Sequence, residues 1–339
     1  MKRTFLVIFI LFLAYLLANY DLVWYGIKQG IGQGEILYYS KPLSDFLENP
    51  NYPDSLKQKI RLIQEIKQFA EDSLGINPSN NYIKMYDQQG KPILWVLTAC
   101  DPYTLNAKEW QFSFLGSFSY KGFFDLEKAK AEQKILDSEG YDTDLEEVNA
   151  WSTLGFFNDP ILSNFLRRKT GKLANLIIHE LTHGTLYVKD SVNYNENLAN
   201  FVGHEGAKRF LIHKFGKNSE QYQNYMYQNV DQEKFVQFIL KSALQLDSLY
   251  KSSEKLDISQ KKVKKDQKIK EIVANFDTIS FQSKSYQGYF DDYLPNNTFF
   301  MGFRRYNAKQ NLFETQFEKE FQGNFKKYFE YLKKAYPSL

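Results

Sequence analysis

His179, Glu180 and His183 stand in the run HELTH of a 339-residue chain that has only four histidines. On a helix, residues four apart project from one face, so the two imidazoles can grip a single divalent cation. Glu180 lies one residue on, too far round the helix to be an ideal ligand. It can instead reach a water held by that cation and accept its proton. The preceding run LANLII supplies an apolar face that would bury the pair. Two ordinary surface histidines would lie on a polar face. The spacing therefore predicts a metal site on a buried helix.

Two imidazoles do not complete such a site. Catalytic zinc takes three protein ligands and keeps a position open for water, whose pKa it lowers towards neutrality. A third histidine in the pattern H-E-x-x-H-x-x-G-x-x-H is excluded, because Leu186 and Lys189 occupy the last two fixed positions. The remaining donors are Asp190, Glu196, His204 and Glu205. Asp190 lies seven residues after His183, near the end of the first helix and facing a turn. Glu196 is expected in the first turn of a second helix that begins at Asn193 or Tyr194. Ala199, Gly203 and Ala207 follow at four-residue intervals, a stripe that lets another helix approach closely. Glu196 is within a turn of that stripe, which makes it the preferred third ligand. His204 and Glu205 fall two or more turns along and stay open as alternatives.

The elements that must position these residues are readable in outline. Apolar residues at three- and four-residue spacing from 35 to 75, among them Leu56, Ile60, Ile63, Ile66 and Phe69, predict helix, with Gly75 as its C-cap. NYIKMYDQQGKPILWVLTA predicts two strands around a Gln-Gln-Gly-Lys-Pro turn. QFSFLGSFSY alternates Phe112, Phe114 and Phe118 with small polar residues and predicts a third strand. A helix is expected from Leu126 to Ser138, and mainly helix over 162–189. EKFVQFILKSALQLDSLYKSSEKL and ISQKKVKKDQKIKEIVANF predict an antiparallel helical pair. The Lys-rich run 261–270 reads as a solvated helix face, interrupted by Asp266. NNTFFMGFRRYNA is a looser aromatic segment, and ETQFEKEFQGNFKKYFEYLKKAY is a closing helix. The fold class expected is a helix-rich α+β fold with a small, mostly antiparallel sheet, an active-site helix and a C-terminal helical region.

Composition narrows the function. The chain is 43% hydrophobic and its net charge is only +3, which argues against a nucleic-acid binder with its concentrated basic footprint. The single cysteine, Cys100, excludes an internal disulfide framework and reads as a small buried side chain. Lys2 and Arg3 precede the uncharged run TFLVIFILFLAYLLANY, which predicts an uncleaved signal anchor over residues 1–25. Trp24 and Tyr25 are its expected aromatic anchors at the membrane interface, with the remainder of the chain outside the cytoplasm. The expected organisation is a catalytic unit over 26–215 and a helical region over 216–339 packed on it.

HELTHGTLYV followed by YNENLANFVGHEGA resembles the predicted aminopeptidase family of bacteria, in which HELxHxTLYV leads through a short loop to FNExLAxFVGxxGA. FSYKGFFD at 118–125 and AWSTLGFFNDPIL at 150–162 are also similar to segments of that family. The Glu of the N-E-x-x-A-like helix further resembles the gluzincin arrangement, although only 12 residues separate His183 from Glu196 where familiar gluzincins use 18 or more. The resemblance implies a zincin-like core, Zn2+ on His179, His183 and Glu196, and Glu180 as catalytic base. The expected activity is zinc-dependent peptide hydrolysis, with a peptide as substrate and aminopeptidase action as one form of it. The expected place is the bacterial inner membrane, held by the N-terminal helix, with the catalytic unit facing the periplasm. A donor to the developing oxyanion is still needed. Tyr120, Tyr187, Tyr194 and Tyr306 are candidates, Tyr306 preferred because an aromatic tail segment could fold over the cleft. Glu205 is a candidate to hold a free substrate amine, and a strand edge near 112–120 could pair with substrate backbone. The alternative reading is a non-catalytic, membrane-anchored envelope or scaffold protein with a vestigial or structural metal site. The intact Glu180 argues against it, since a structural site needs no base.

Overall fold

The computed structural model describes residues 4–6, 9–10, 19–112, 116–148, 158–189, 191–306 and 311–336. Among them the chain is a helix-rich α+β fold. The first element, α1 (Tyr20–Tyr39), is turned inward at four- and three-residue spacing. Tyr25 and Gln29 both donate to Gly122 O at 2.8 Å, and Ile36 is buried. Tyr25 is thereby docked on the protein, which departs from its expected role as an interface anchor. Its neighbour Trp24 is exposed and stacks on Tyr20. Most of the expected anchor, including 11–18, lies outside the described residues. No helix among the described residues is long and apolar enough to cross a membrane.

A two-residue strand β1 (Lys41–Pro42) and a short α2 (Leu43–Leu47) lead to α3 (Asp54–Ser73). Ile60, Ile63, Ile66 and Ala70 form the buried stripe that the spacing predicts. The two strands expected next are β2 (Lys84–Tyr86) and β3 (Trp95–Cys100), but they do not form a hairpin. Gln89 and Gly90 both take positive φ, and Lys91 closes a turn onto Gln88 O. This sends the two strands into different sheets. The expected single strand over 111–120 is a hairpin, β4 (Trp110–Phe112) with β5 (Gly116–Phe118), registered as Trp110↔Phe118 and Phe112↔Gly116. Gly116 has φ +88, in the left-handed region that breaks an extended run. β6 (Lys121–Phe123), α4 (Leu126–Ser138) and β7 (Asp142–Glu147) follow, and β6-β3-β7 form an antiparallel sheet. Cys100 is buried at the end of β3, and burial pushes its thiol up to about 12.

β8 (Ile161–Leu162) pairs parallel with β2, Met85 opposite Ile161, in a mixed β1-β2-β8 sheet. One 3-10 turn later the helix that carries HELTH, α5, begins (Thr170–His183), followed by α6 (Val192–Phe215). α5 is clamped on its apolar side: Leu173, Ala174, Ile177, Ile178 and Leu181 join the main core with α3, α6 and the C-terminal helices. Each large aliphatic side chain buried there contributes about 1.5–3 kcal/mol.

The long α7 (Glu220–Ser252) and α8 (Ile258–Phe276) form the expected pair and share a second aromatic core with α9 (Asn297–Tyr306). That last segment was expected to be irregular and is helical. Asn297 is fully buried and donates to Asp101 O and Thr104 O while accepting from Tyr250 Oη at 2.6 Å, which pins the helix start. Within the basic run of α8, Lys265 departs from a solvated face and reaches the Asp142 carboxylate at 2.5 Å. The expected closing helix is two, α10 (Asn311–Phe321) and α11 (Phe325–Ala335). Gln322 and Gly323 both take positive φ, and the Asn324 side chain caps the new helix on Lys327 N. Phe317, Phe325, Tyr328 and Phe329 then pack onto α6 through Phe201 and Arg209.

Candidate metal centre

α5 and α6 lie against each other because their contact is lined by small residues. Ala199 and Ala207 are fully buried. A Cβ at Gly203 would stand 2.9 Å from Asn175 O and 3.1 Å from His179 Cβ. Glycine is therefore the residue that lets α6 reach the histidine-bearing turn. Gly203→Ala is expected to destabilise the fold by about 1–3 kcal/mol, the cost of forcing a methyl into a packed contact. A lowered urea midpoint at unchanged m-value would show it.

The short connection between the helices is closed by Asn195. Its Oδ1 accepts from Val188 N and its Nδ2 donates to Val188 O, both at 2.8 Å. The residue before Glu196 thus ties the returning loop to the start of α6, so a 12-residue spacer is long enough. α6 begins at Val192, one or two residues earlier than expected, and Glu196 falls in its second turn. Asn195→Ala is expected to leave the core intact and weaken metal binding about 10–100-fold, the range for residues that orient ligands from behind. Competition with a chelator would measure it.

The three expected ligands converge. His179 Nε2 lies 3.2 Å from His183 Nε2. Glu196 Oε2 is 3.5 Å from His179 Nε2, and its Oε1 is 3.5 Å from His183 Nε2. Donors at about 2.0–2.1 Å around a tetrahedral zinc stand about 3.3 Å apart, so this triangle has the right edge lengths. The charges suit it too. Burial and the neighbouring His179 lower the His183 pKa to about 4, which keeps that ring a neutral donor. Burial acts to raise Glu196, but its hydrogen bond to His179 and its electrostatic interactions with the histidines outweigh this, and the carboxyl is held below its ordinary value. Burial acts to lower His179, and Glu196, Glu180 and Asn200 together outweigh it. The donor chemistry is two imidazoles and one carboxylate, a set that could hold a metal ion.

Glu180 stands beside this triangle in a different environment. Burial pushes its carboxyl up to about 7, with Glu196 and Asp159 adding to the rise and His179 and Arg168 opposing it. A base poised near neutrality is matched to taking and returning a proton.

The other candidates sort by position. Glu205 is ion-paired with Lys208, and His204 Nδ1 meets Tyr225 Oη at 3.3 Å. Neither is part of the His179–His183–Glu196 group. Glu205 is thereby committed to a lysine of its own helix, which leaves it ill-suited to bind a substrate amine. Asp190 lies outside the described residues. Tyr194 packs between Phe313 and Tyr336, at 5.3 and 4.9 Å. Tyr187 meets His183 edge-on at 6.0 Å, and burial, with the charge of Glu196 adding to it, raises its pKa. Tyr306 ends α9, and its side chain lies outside the described residues.

Sequence reasoning missed Tyr82, Asp159, Arg168 and Asn200. Asn200 was findable, since it lies one turn after Glu196 on the same helix face and hydrogen-bonds His179. Tyr82 left no local signal. It is buried, takes φ +63 and donates its N–H to Asp159 O at 2.8 Å, which carries its ring to the neighbourhood of Glu180.

The family model described as Putative aminopeptidase matches residues 24–336, nearly the whole chain. The chain belongs to this family. No curated protein and no solved structure matches it. The match to the aminopeptidase family takes in α5 and α6 together with the helices that buttress them, so the candidate metal centre lies well inside it.

Proposed function

We propose that the protein is a zinc-dependent metallopeptidase of gluzincin type, with a zincin-like core. His179, His183 and Glu196 hold the ion and Glu180 is the catalytic base. The observation that carries this reading is the donor triangle, with edges of 3.2, 3.5 and 3.5 Å, next to a carboxyl pushed up to about 7. The family name supports peptide hydrolysis, and aminopeptidase action is the form of it that the name favours.

Zinc in this set supplies Lewis acidity, which polarises a peptide carbonyl and makes a water more acidic. The chain's own part is proton movement and orientation. Glu180 takes the proton as water attacks the carbonyl carbon, then delivers it to the departing amine nitrogen as the C–N bond breaks. Asn200 orients His179 through its hydrogen bond, and Asn195 fixes the loop that leads to Glu196. Tyr306 is the proposed donor to the developing oxyanion, and Tyr306→Phe is expected to lose about 10²–10³-fold in kcat. Residues 1–25, with Lys2 and Arg3 before the apolar run Phe5 to Ala18, are the proposed anchor in a bacterial inner membrane, with the catalytic unit over 26–215 and the helical region over 216–339 on the periplasmic side.

Metal analysis of the purified full chain, with hydrolysis of a mixed peptide library followed by mass spectrometry, tests the reading. One zinc per chain with cleavage that a chelator abolishes and zinc restores is the expected result. A chain free of zinc would sink it, and zinc without cleavage would favour a structural metal in an envelope protein.

A further inference from the structure

α1 is apolar on two sides, and the protein covers only one of them. Tyr25, Gln29, Gly32 and Ile36 face inward: Tyr25 and Gln29 donate to Gly122 O, Gly32 lies against the Phe124 ring, and Ile36 is buried. Tyr20, Trp24, Ile27, Ile31 and Tyr38 lie on the other side, within about 60° of one another round a helix of about 3.6 residues per turn. All five are exposed, by 39–81%. Tyr20 stacks on Trp24 at 6.4 Å, and Lys28 and Lys128 both stand over the Trp24 ring, at 5.2 and 6.0 Å.

Large apolar side chains in one row leave water only if something outside the chain covers them. The sequence before them says what. The apolar run Phe5 to Ala18 ends two residues before Tyr20, and two residues of extended chain span at most about 7 Å. An anchored chain therefore delivers the start of the row to the bilayer surface. The residue types match that place: Trp and Tyr favour the headgroup level, aliphatic side chains lie just beneath it, and lysines meet anionic headgroups. A second copy of α1 is the rival cover, since a Cβ added at Gly26, Gly30 or Gly34 beside the row would meet nothing within 4 Å. One helix face of 20 residues is small for the about 800 Å² per partner that a stable interface buries.

We propose that α1 lies in the plane of the bilayer surface, with Tyr20, Trp24, Ile27, Ile31 and Tyr38 seated at the boundary of headgroups and acyl chains. The assignment rests on the membrane anchor proposed for residues 1–25 and goes beyond it. An anchor alone leaves the body free to swing. A seated α1, docked on Gly122 and Phe124, holds the body at one orientation to the membrane. Tyr38 is 18 residues from Tyr20, about 27 Å along the helix axis, so a helix that left the surface steeply would carry it well clear.

The test uses the full chain in vesicles of phosphatidylethanolamine and phosphatidylglycerol that also contain a lipid with a nitroxide quencher just below the headgroup. Ile27→Cys, Ile31→Cys and Tyr38→Cys each carry a fluorophore. Cys100 is buried and takes no label, and Leu244→Cys, 66% exposed on α7, is the control. The labels at 27, 31 and 38 are expected to lose most of their fluorescence to the quencher, and the control to keep it. With Ile27→Asp and Ile31→Asp added, the label at 38 should recover its fluorescence while the chain stays in the vesicles. Circular dichroism confirms that the variants are folded. Labels quenched no more than the control overturn the proposal, as does a label at 38 that stays quenched in the double Asp variant. Labels shielded from iodide in water but untouched by the lipid quencher also overturn it, and favour a second copy. Release of the chain by alkaline carbonate fails the anchor reading separately. The labels are then read on chain added to preformed vesicles, where quenching at all three positions supports the seating and its absence overturns it.

Discussion

Glu180→Gln keeps its zinc and loses about 10²–10⁴-fold in kcat/KM, the share of a barrier that a well-placed general base carries. The substitution preserves the size and hydrogen-bonding capacity of the side chain and removes only its ability to accept a proton. Zinc should stay bound because the donor triangle consists of His179, His183 and Glu196. Stability sharpens the prediction. Burial pushes the Glu180 carboxyl up to about 7 in the folded chain, against an ordinary value of 4.5. Between those values the unfolded chain has released the proton and the folded chain still binds it. The unfolded state then binds fewer protons, so metal-free wild type should lose stability relative to metal-free Glu180→Gln as the pH rises from about 4.5 to about 7. Thermal melts of both proteins across that range measure the difference. A variant that loses zinc along with activity would make Glu180 a ligand, and one that keeps full activity would remove it from the chemistry.

The parts of this site that were legible in the sequence are those carried by helical periodicity. His179 and His183 announce a shared face by their spacing of four, and Ala199, Gly203 and Ala207 announce a close helix contact by theirs. A Cβ added at Gly203 would come within 2.9 Å of Asn175 O, too close for the helices to keep their contact. The long helices were legible for the same reason. What failed depended on backbone geometry at single residues. Positive φ at Gln89, Gly116 and Gln322 separated two strands, folded one strand into a hairpin and split one helix into two. Gln89 and Gln322 are not residue types that mark the left-handed region, so pattern alone passes over them. Asn297 was illegible for another reason. It starts a helix by reaching Asp101 and Thr104, almost two hundred residues away, and no local window contains that contact. Tyr82 combines both causes.

Glu196→Ala is expected to cost more than about 100-fold in zinc affinity, beyond the 10–100-fold typical of residues that only orient ligands. Its carboxylate supplies two of the three edges of the donor triangle, each 3.5 Å long. It is also the one anionic donor of the set. Without it a dication would face two neutral imidazoles in a partly buried site, where an uncompensated charge is expensive. The same substitution frees His179 from the partner that holds its pKa up, and burial then acts on that ring with less opposition. Both histidines are left close together, able to bind metal weakly and without fixed geometry. Glu196→Gln separates charge from shape: it should bind zinc better than Glu196→Ala and worse than wild type. Titration with a competing chelator ranks the three proteins. Equal affinity in all three would move the third ligand elsewhere. His204, held at Tyr225, and Glu205, paired with Lys208, would each have to break an existing contact to serve. That is why the ranking is expected to follow residue 196.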